Sequence, residues 1–308
     1  MLQIAVILIN YNSSNYTIKC IESILQKTSN ELKYKIYCID NNSDLADYRV
    51  LVDYFKINTS DKVSLIRSKI NKGFGGGNMH GLQYAEQSEF VAFINNDTLF
   101  LNDCLHELYS YIKQNKNIGI VGGQSFDENN KEIISFDHYA STTRQIFGRS
   151  ILEKINPKKY PRRKKSYKNP LVVNTVSGSL MFINSEHFNT IGGFDENLFL
   201  YYEETDICLR LKKKSKDCVL LPQAKYLHYH GASTERRDAI KKELKISLVY
   251  LVQKHYGLFS KKILLTYLIT TSFFAAIIKP RKWSFLNLYL QGAPLSKSLK
   301  TTQRITEL

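Results

Sequence analysis

The sequence is poor in acidic residues and has no paired cysteines. It contains 28 Asp and Glu against 43 Lys and Arg, a net charge of +15, so we expect a negatively charged partner or surface. The five cysteines are scattered and include no C-x-x-C pair, which argues against a zinc site or a disulfide framework and favours the cytosol. The apolar N-terminus has no basic segment and no small-residue cleavage site, so we expect a buried strand there rather than an export signal.

The remaining composition is that of an ordinary globular protein. The 308 residues are 43% hydrophobic and 23% charged, which excludes a disordered chain and a polytopic membrane protein. This length accommodates one large domain, or a catalytic domain with an appendage.

Short apolar runs alternate with helical patterns along the first 125 residues. The runs cover residues 4–9, 34–39, 63–66, 90–94 and 118–121. Strands that are apolar on both faces and separated by helices predict an α/β fold with a mostly parallel, Rossmann-like sheet flanked by helices.

Polar residues follow the first four of these runs directly. In parallel sheets the ligand crevice lies beyond the carboxyl ends of the strands, so these residues are expected to converge. They are Asn10, Tyr11 and Asn12 after the first run, Asp40, Asn41, Asn42 and Ser43 after the second, Asn71, Lys72 and Gly73 after the third, and Asn95, Asn96 and Asp97 after the fourth. The pattern predicts a nucleotide site.

A glycine-rich segment at residues 71–81 follows the third run and leads into a helix. Glycines allow the backbone to approach a ligand, and a helix N-terminus offers free amides to a phosphate. The segment matches neither the Walker pattern nor G-x-G-x-x-G, which argues against a P-loop enzyme and a Rossmann dehydrogenase.

Three further groups could carry chemistry. Asp97, flanked by amides at a strand end, suits Mg²⁺ or Mn²⁺ shared with substrate phosphates, or caps the next helix. Glu203, Glu204 and Asp206 crowd together, so repulsion can raise one pKa toward that of a general base, although they also suit a helix N-terminus. His228 either completes a cation shell or is structural.

Taken together, these segments resemble the inverting family 2 glycosyltransferases of the GT-A fold, and among them the bacterial rhamnosyltransferase-like enzymes of surface polysaccharide assembly. The matching segments are residues 4–13, 38–43, 71–81, 93–98, 177–179, 192–196, 201–210 and 228–233. The resemblance implies Mg²⁺- or Mn²⁺-dependent transfer of a sugar, best L-rhamnose from dTDP-rhamnose, to a glycan carried on a polyprenyl diphosphate lipid in O-antigen or capsule synthesis. UDP-hexoses and UDP-galactofuranose are the alternative donors.

The same resemblance implies a role for each site residue. The nucleotide donor is expected to contact Asn10, Tyr11, Asn12, Asp40, Asn71, Gly73, Asn78 and Asn96. The metal is expected at Asp97 and His228, and the acceptor at Asp195 and Gly193. Glu204 is expected to be the catalytic base, with Asp206 as the competing choice and Glu203 as its neighbour.

The resemblance and the charge pattern also divide the chain. Residues 1–235 are predicted to form the catalytic domain, with a nucleotide-sugar half at about 1–125, a basic loop at about 144–170 and an acceptor half at about 170–235. Residues 236–308 are predicted to be a helical extension. Its apolar run at 263–278 is short for a membrane span and has Lys and Arg on both sides, which favours an interfacial helix at the cytoplasmic face of the inner membrane, or a homodimer contact.

A basic protein that binds nucleic acid or membrane without catalysis is the alternative of another class. The sequence has no helix-turn-helix, zinc-finger or RNP signature. We therefore expect no nucleic-acid partner.

Overall fold

The computed structural model describes residues 2–229 and 237–306. Its strands are β1 (Leu2–Asn10), β2 (Tyr34–Asp40), β3 (Val63–Arg67), β4 (Ser88–Asn95), β5 (Thr98–Phe100), β6 (Ile118–Phe126), β7 (Phe136–Asp137), β8 (Leu171–Val173), β9 (Thr175–Val176), β10 (Leu180–Asn184) and β11 (Asp217–His228). Its α-helices are α1 (Ser14–Lys27), α2 (Leu45–Ile57), α3 (Gly73–Leu82), α4 (Cys104–Gln114), α5 (Thr142–Phe147), α6 (Arg149–Ile155), α7 (Ser185–Thr190), α8 (Glu203–Lys213), α9 (Arg237–Ile278) and α10 (Trp283–Leu290).

Nine strands form one mixed sheet in the order β3-β2-β1-β4-β10-β6-β11-β5, with β8 also paired to β11. The pairs among β1, β2, β3 and β4 are parallel, and β10 runs antiparallel to both of its neighbours. Strands β7 and β9 form a separate two-stranded sheet. The predicted α/β fold, with a mostly parallel sheet flanked by helices, is confirmed.

Strand β1 shows why the sheet is covered on both faces. Ile4, Val6 and Leu8 belong to the core beneath α1 and α4. The alternate residues Ala5 and Ile7 belong to the core on the opposite face, beneath α3, α7 and α8. Because side chains alternate along a strand, a run that is apolar at every position must be buried on both sides.

The parallel register brings three strand ends to one level. Asn10 of β1 is paired with Asp40 of β2, and Asp40 is paired with Arg67 of β3. On the other side of β1, Ile9 is paired with Asn95 of β4. The polar residues after these strands therefore meet at one edge of the sheet.

Two local predictions are wrong. The glycines after residue 72 do not precede a helix but form α3 itself, beginning at Gly73. The basic segment is not a loop throughout, because its first part contains α5 and α6. Asp137 accepts bonds from Arg144 at 3.0 Å and from Arg149 at 2.6 Å. The side chains of these two arginines are therefore held in place by Asp137.

The long helix α9 is bent at Gly257, whose φ is +82°. We call residues 237–256 its first arm and residues 258–278 its second arm. The first arm packs through Ile246, Val249 and Val252 in a core cluster that also contains Ala140 and Leu198. The predicted domain boundary at 235/236 lies outside the described residues.

By length and composition, Asp238–Ile278 could cross a membrane, and 17% of its most apolar window is buried. This helix is longer than the apolar run that the sequence delimits. Beyond it, the chain returns to the sheet edge, where the Thr306 amide donates to the Lys69 carbonyl at 3.0 Å. The C-terminal end of the described chain thus contacts the segment between β3 and α3.

Candidate active site

Asn10 is the centre of a buried network at the strand ends. Its Nδ2 donates to Oδ1 of Asp40 at 3.0 Å, to Oγ of Ser43 at 3.0 Å and to Oδ2 of Asp47 at 2.9 Å. Its Oδ1 accepts from Thr17 at 2.7 Å. Because this side chain is fully buried and bonded to protein groups, its part in the site is to fix the two acidic residues beside it.

Asn41 was not among the predicted site residues, yet it joins two of them. Its Nδ2 donates at 3.0 Å both to Oδ1 of Asn71 and to the carbonyl of Gly73. Its Oδ1 accepts from the backbone amide of Lys72 at 3.0 Å. Asn41 belongs to the same polar cluster as Asp40, and that was the available signal.

The other residues that were predicted to contact the nucleotide-sugar substrate lie around this network. Asn12 has a left-handed backbone, φ +51°, and its Oδ1 accepts from the amide of Asp44 at 2.8 Å. Tyr11 is 41% exposed. Asn78 is buried and donates to the carbonyl of Phe74 one turn earlier at 3.0 Å. Asn78 therefore braces α3.

Asn96 connects the fourth strand end to the network. Its Nδ2 donates to Oγ of Ser13 at 2.7 Å and to Oγ1 of Thr17 at 2.8 Å. Thr17 in turn donates to Asn10. A continuous chain of hydrogen bonds thus links the residue before Asp97 to Asp40.

Asp97 and His228, the two residues that the family resemblance assigns to the metal, are in contact. Nε2 of His228 lies 3.1 Å from Oδ1 of Asp97, and both side chains are slightly exposed. Strand β11 places His228 because it pairs antiparallel with β5, where His228 lies opposite Thr98. The Asp97 carbonyl also accepts from the amide of Tyr229 at 3.0 Å.

This pair fits two neighbouring ligands of a divalent cation. Adjacent oxygens of an octahedral Mg²⁺ site at about 2.1 Å are about 3.0 Å apart, close to the separation found here. In the part of the chain that the structure describes, no group of three or more His, Cys, Asp or Glu converges on one point. A cation held here would take its other ligands from phosphates and water, as Mg²⁺ commonly does.

Glu203 and Glu204 form an acidic pair at the start of α8. Burial, together with the charge of Glu204, raises the pKa of Glu203 well above its ordinary value, and Oε1 of Glu203 has no hydrogen-bond partner among the described residues. Burial, with a smaller contribution from Asp137, raises the pKa of Glu204 to about 7. Glu204 is only half-buried, so a substrate can reach it.

A short turn at Gly178 and Ser179 lies close both to Glu204 and to the end of β4. A Cβ added at Gly178 would lie 3.8 Å from Oε2 of Glu204, so the carboxylate passes close to that glycine. The next residue, Ser179, accepts from the amide of Asn95 at 3.0 Å through its carbonyl. The acidic pair and the strand end that carries Asp97 are therefore separated by this one turn.

Asp206 is buried, and its carboxylate contacts three basic side chains. Its carboxylate lies 2.5 Å from Arg210, 2.6 Å from Lys254 and 2.7 Å from His255. Burial alone would raise the pKa of Asp206, but the hydrogen bond from His255 and the charges of Arg210 and Lys254 lower it to about 2. A carboxylate held so firmly ionised is a poor proton acceptor.

The predicted acceptor loop is also tied to the first arm of α9. Oδ2 of Asp195 accepts from Tyr250 and from Lys254, each at 2.7 Å. Gly193 has φ +69°, and a Cβ there would lie 2.7 Å from the Met79 sulfur. No sequence motif singles out Lys254, which bridges Asp195 and Asp206.

Comparison with known proteins decides the family. The glycosyl transferase family 2 profile matches residues 5–188, which contain the strand-end network, the glycine helix and Asp97. The chain belongs to glycosyltransferase family 2. The predicted family and enzyme class are confirmed.

Among curated relatives, rhamnosyltransferase WbbL of Escherichia coli K12 is 24% identical over 259 residues, covering 81% of this chain and 92% of its own length. The dTDP-rhamnosyl transferase RfbF of Shigella flexneri is 23% identical and covers 73% and 68%. An N-acetylglucosaminyl-diphospho-decaprenol L-rhamnosyltransferase of Mycobacterium tuberculosis is 34% identical over 87 residues, which is 28% of each chain.

A solved structure confirms the fold. The mannosyltransferase PcManGT of Pyrobaculum calidifontis, in complex with GDP-Man and Mn²⁺, superposes with a TM-score of 0.58 at 13% identity, covering 96% of this chain and 87% of its own. The likeness at this identity is one of fold.

Proposed function

We propose that this chain is a metal-dependent inverting glycosyltransferase in which Glu204 is the catalytic base. The observation that carries the proposal is that one turn, at Gly178 and Ser179, approaches Glu204, whose pKa is about 7, and bonds to the end of β4, which leads to the Asp97–His228 pair. A base with a pKa near neutrality can both exist ionised and accept a proton. Asp206 lacks this property because its pKa is about 2.

In the proposed reaction, Glu204 accepts the proton of an acceptor hydroxyl as its oxygen attacks the anomeric carbon of the donor. The bond from that carbon to the nucleoside diphosphate breaks on the opposite face, so a single displacement inverts the configuration. Mg²⁺ or Mn²⁺ bound by Asp97 and His228 would supply positive charge beside the leaving diphosphate. The network of Asn10, Asp40 and Asn41 holds the donor side rigid.

For the donor we propose dTDP-rhamnose, with UDP-hexoses and UDP-galactofuranose as alternatives. The names of the WbbL and RfbF relatives support rhamnosyl transfer. For the acceptor we propose a hydroxyl of a glycan on a polyprenyl diphosphate, which the name of the mycobacterial relative supports. Such an acceptor places the enzyme at a membrane and its product in a surface polysaccharide.

We further propose that the protein is peripheral to the cytoplasmic face of the membrane. The end of the second arm and the start of α10 expose large apolar side chains, namely Phe274 at 63%, Ile277 at 63%, Ile278 at 79% and Trp283 at 52%. Lys279, Arg281 and Lys282 lie among them. Apolar groups bordered by cations suit the interface of an anionic bilayer.

Release of nucleoside diphosphate tests the enzymatic proposal. Purified protein with Mn²⁺ and N-acetylglucosaminyl-diphospho-decaprenol is incubated in turn with dTDP-rhamnose, UDP-glucose and UDP-galactofuranose. We expect release from dTDP-rhamnose, lowered at least about 10²-fold in Glu204→Gln because the proton acceptor is lost. Full activity of Glu204→Gln would contradict the assignment of the base, and release only from a UDP-sugar would select an alternative donor.

A further inference from the structure

A cavity lies where the two arms of α9 meet α10. Its volume is about 160 Å³, and it is lined by Lys241 and Lys245 of the first arm, Ser272 of the second arm, Lys282, and Phe285 and Tyr289 of α10. Lys241 and Lys245 are one helical turn apart, as are Phe285 and Tyr289. Each pair therefore presents one face toward the same space.

The cavity carries positive charge that its lining does not neutralise. Three of its lining side chains are lysines, and no carboxylate lines it among the described residues. The nearby acids are engaged elsewhere, since Asp238 pairs with Arg281 at 2.7 Å and Glu243 accepts from Ser298 at 2.8 Å. A site of this charge attracts an anion.

The lining combines that charge with the aromatic side chains of Phe285 and Tyr289. Nζ of Lys282 lies 5.3 Å from the centre of the Phe285 ring, and Nζ of Lys242 lies 6.0 Å from it. Ser272 and Tyr289 bring hydroxyl groups to the lining, and Leu244 and Phe285 bring apolar surface. An anionic group inside would thus have an apolar surface beside it for an attached chain.

Helix α5 packs against α9, and Oγ1 of Thr142 donates to the carbonyl of Ser260 at 3.0 Å. Arg144 of α5 is buried, and its Nε and Nη2 have no hydrogen-bond partner in the described residues. The charge of Arg144 acts to lower the pKa of Lys245, which lines the cavity, and that of Glu204.

We propose that this cavity binds the anionic phosphate headgroup of a lipid, held by Lys241, Lys245, Lys282 and Ser272. The inference rests on the proposed membrane association and is independent of the donor sugar. A bilayer phospholipid and the polyprenyl diphosphate of an acceptor share this chemistry. In either case the start of the apolar tail would lie against Leu244, Phe285 and Tyr289, which line the cavity.

Vesicle binding tests the proposal with two charge-matched variants. Lys245→Gln/Lys282→Gln removes two cavity charges, and Lys164→Gln/Lys165→Gln removes two exposed charges from the basic segment. Full-length proteins are sedimented with phosphatidylcholine vesicles containing phosphatidylglycerol, or containing decaprenyl diphosphate at equal surface charge. We expect the cavity variant to bind about 30-fold more weakly and the control less than threefold.

A third variant, Ser272→Leu, narrows the cavity without changing charge and is expected to weaken binding as well. Loss on both vesicle types would show that any lipid phosphate is bound, and loss only with decaprenyl diphosphate would identify the acceptor as its source. Equal losses in the cavity and control variants, or none, would overturn the proposal in favour of diffuse attraction.

Nucleotide binding separates this proposal from the proposed function. The cavity variants should bind dTDP or UDP as the wild type does, which shows that they are folded. A wild type that binds no nucleotide would contradict the proposed function, yet the vesicle comparison would still decide the cavity.

Discussion

Nζ of Lys254 lies 2.6 Å from Oδ1 of Asp206, so the first arm of α9 reaches the helix that carries the proposed base. Asp206 is fully buried, and Arg210 and His255 complete its surroundings. The extension is therefore part of the support of the catalytic site. Residues that no catalytic motif contains fix the orientation of α8.

Replacing Asp206 by Asn is expected to destabilise the protein by about 3–5 kcal/mol, because the fully buried Asp206 carboxylate no longer supplies the charge that Arg210 and Lys254 face. Urea unfolding measures the loss. The matched control is Asp53→Asn, which breaks the exposed pair with Lys56 and should cost less than about 0.5 kcal/mol. Equal losses of unfolding free energy in the two variants would show that the contacts of Asp206 stabilise the protein no more than an exposed ion pair does.

The same cluster sets a pH dependence of stability. The pKa of Asp206 is lowered from 3.8 to about 2. An acid whose folded pKa is depressed stabilises the fold fully above its unfolded pKa, and this stabilisation is lost as the pH falls from about 4 to 2. In Asp206→Asn, the difference in stability from wild type should shrink over that interval.

Transfer activity should follow the ionisation of Glu204. Only the carboxylate accepts a proton, so kcat/KM is expected to rise with pH and level off above an inflection near 7, where burial places the pKa of Glu204. In Glu204→Gln this inflection should vanish together with activity. Because a buried ionised acid opposes folding, the variant should be no less stable than wild type above pH 7. An unchanged profile in the variant would assign the base elsewhere.

Gly73→Ala is expected to disrupt the start of α3. The backbone φ is +71°, and the added Cβ would lie 2.1 Å from the carbonyl oxygen of Phe199. The conformation alone costs about 1–2 kcal/mol, and the backbone clash adds to it. Gly292→Ala is the control, since its φ is +79° but nothing lies within 4 Å of the added Cβ. Equal unfolding free energies for the two variants would contradict the tight packing at Gly73.

Phe274→Glu/Ile278→Glu is expected to lower vesicle binding at least about tenfold, because two large apolar side chains no longer enter the bilayer. Both positions are exposed, so thermal stability should be unchanged. Ile57→Glu, at a position 83% exposed on α2, is the control and should bind as wild type does. Dissociation of an oligomer by the double variant, without loss of vesicle binding, would instead identify a dimer contact.

The sequence predicts the strand ends of this fold well. Apolar runs mark β1, β2, β4 and β6 because both faces of those strands are buried, and the apolar run of β3 is only partly buried at the edge of the sheet. The Asp97–His228 contact could be expected only from the family resemblance, since the two residues are joined by the pairing of β5 with β11. No local pattern encodes that pairing.

Other parts of the site depend on contacts that a local pattern does not contain. Glu204 and Asp206 are two positions apart on α8, and their pKa values diverge because Lys254 and His255, far along the chain, approach only one of them. Repulsion among the carboxylates was the expected cause of a raised pKa at Glu204. In the structure burial is the larger cause.

Calorimetric titration with dTDP and with UDP, with and without Mn²⁺, measures whether the protein binds a nucleotide through a metal held by Asp97 and His228. We expect wild-type protein to bind one nucleotide in a metal-dependent manner. Asp97→Ala and His228→Ala should weaken this binding at least about tenfold, and Asp53→Ala, at an exposed position, should leave it unchanged. Absence of nucleotide binding by the wild type at any metal concentration, or equal binding by Asp97→Ala, would contradict this expectation.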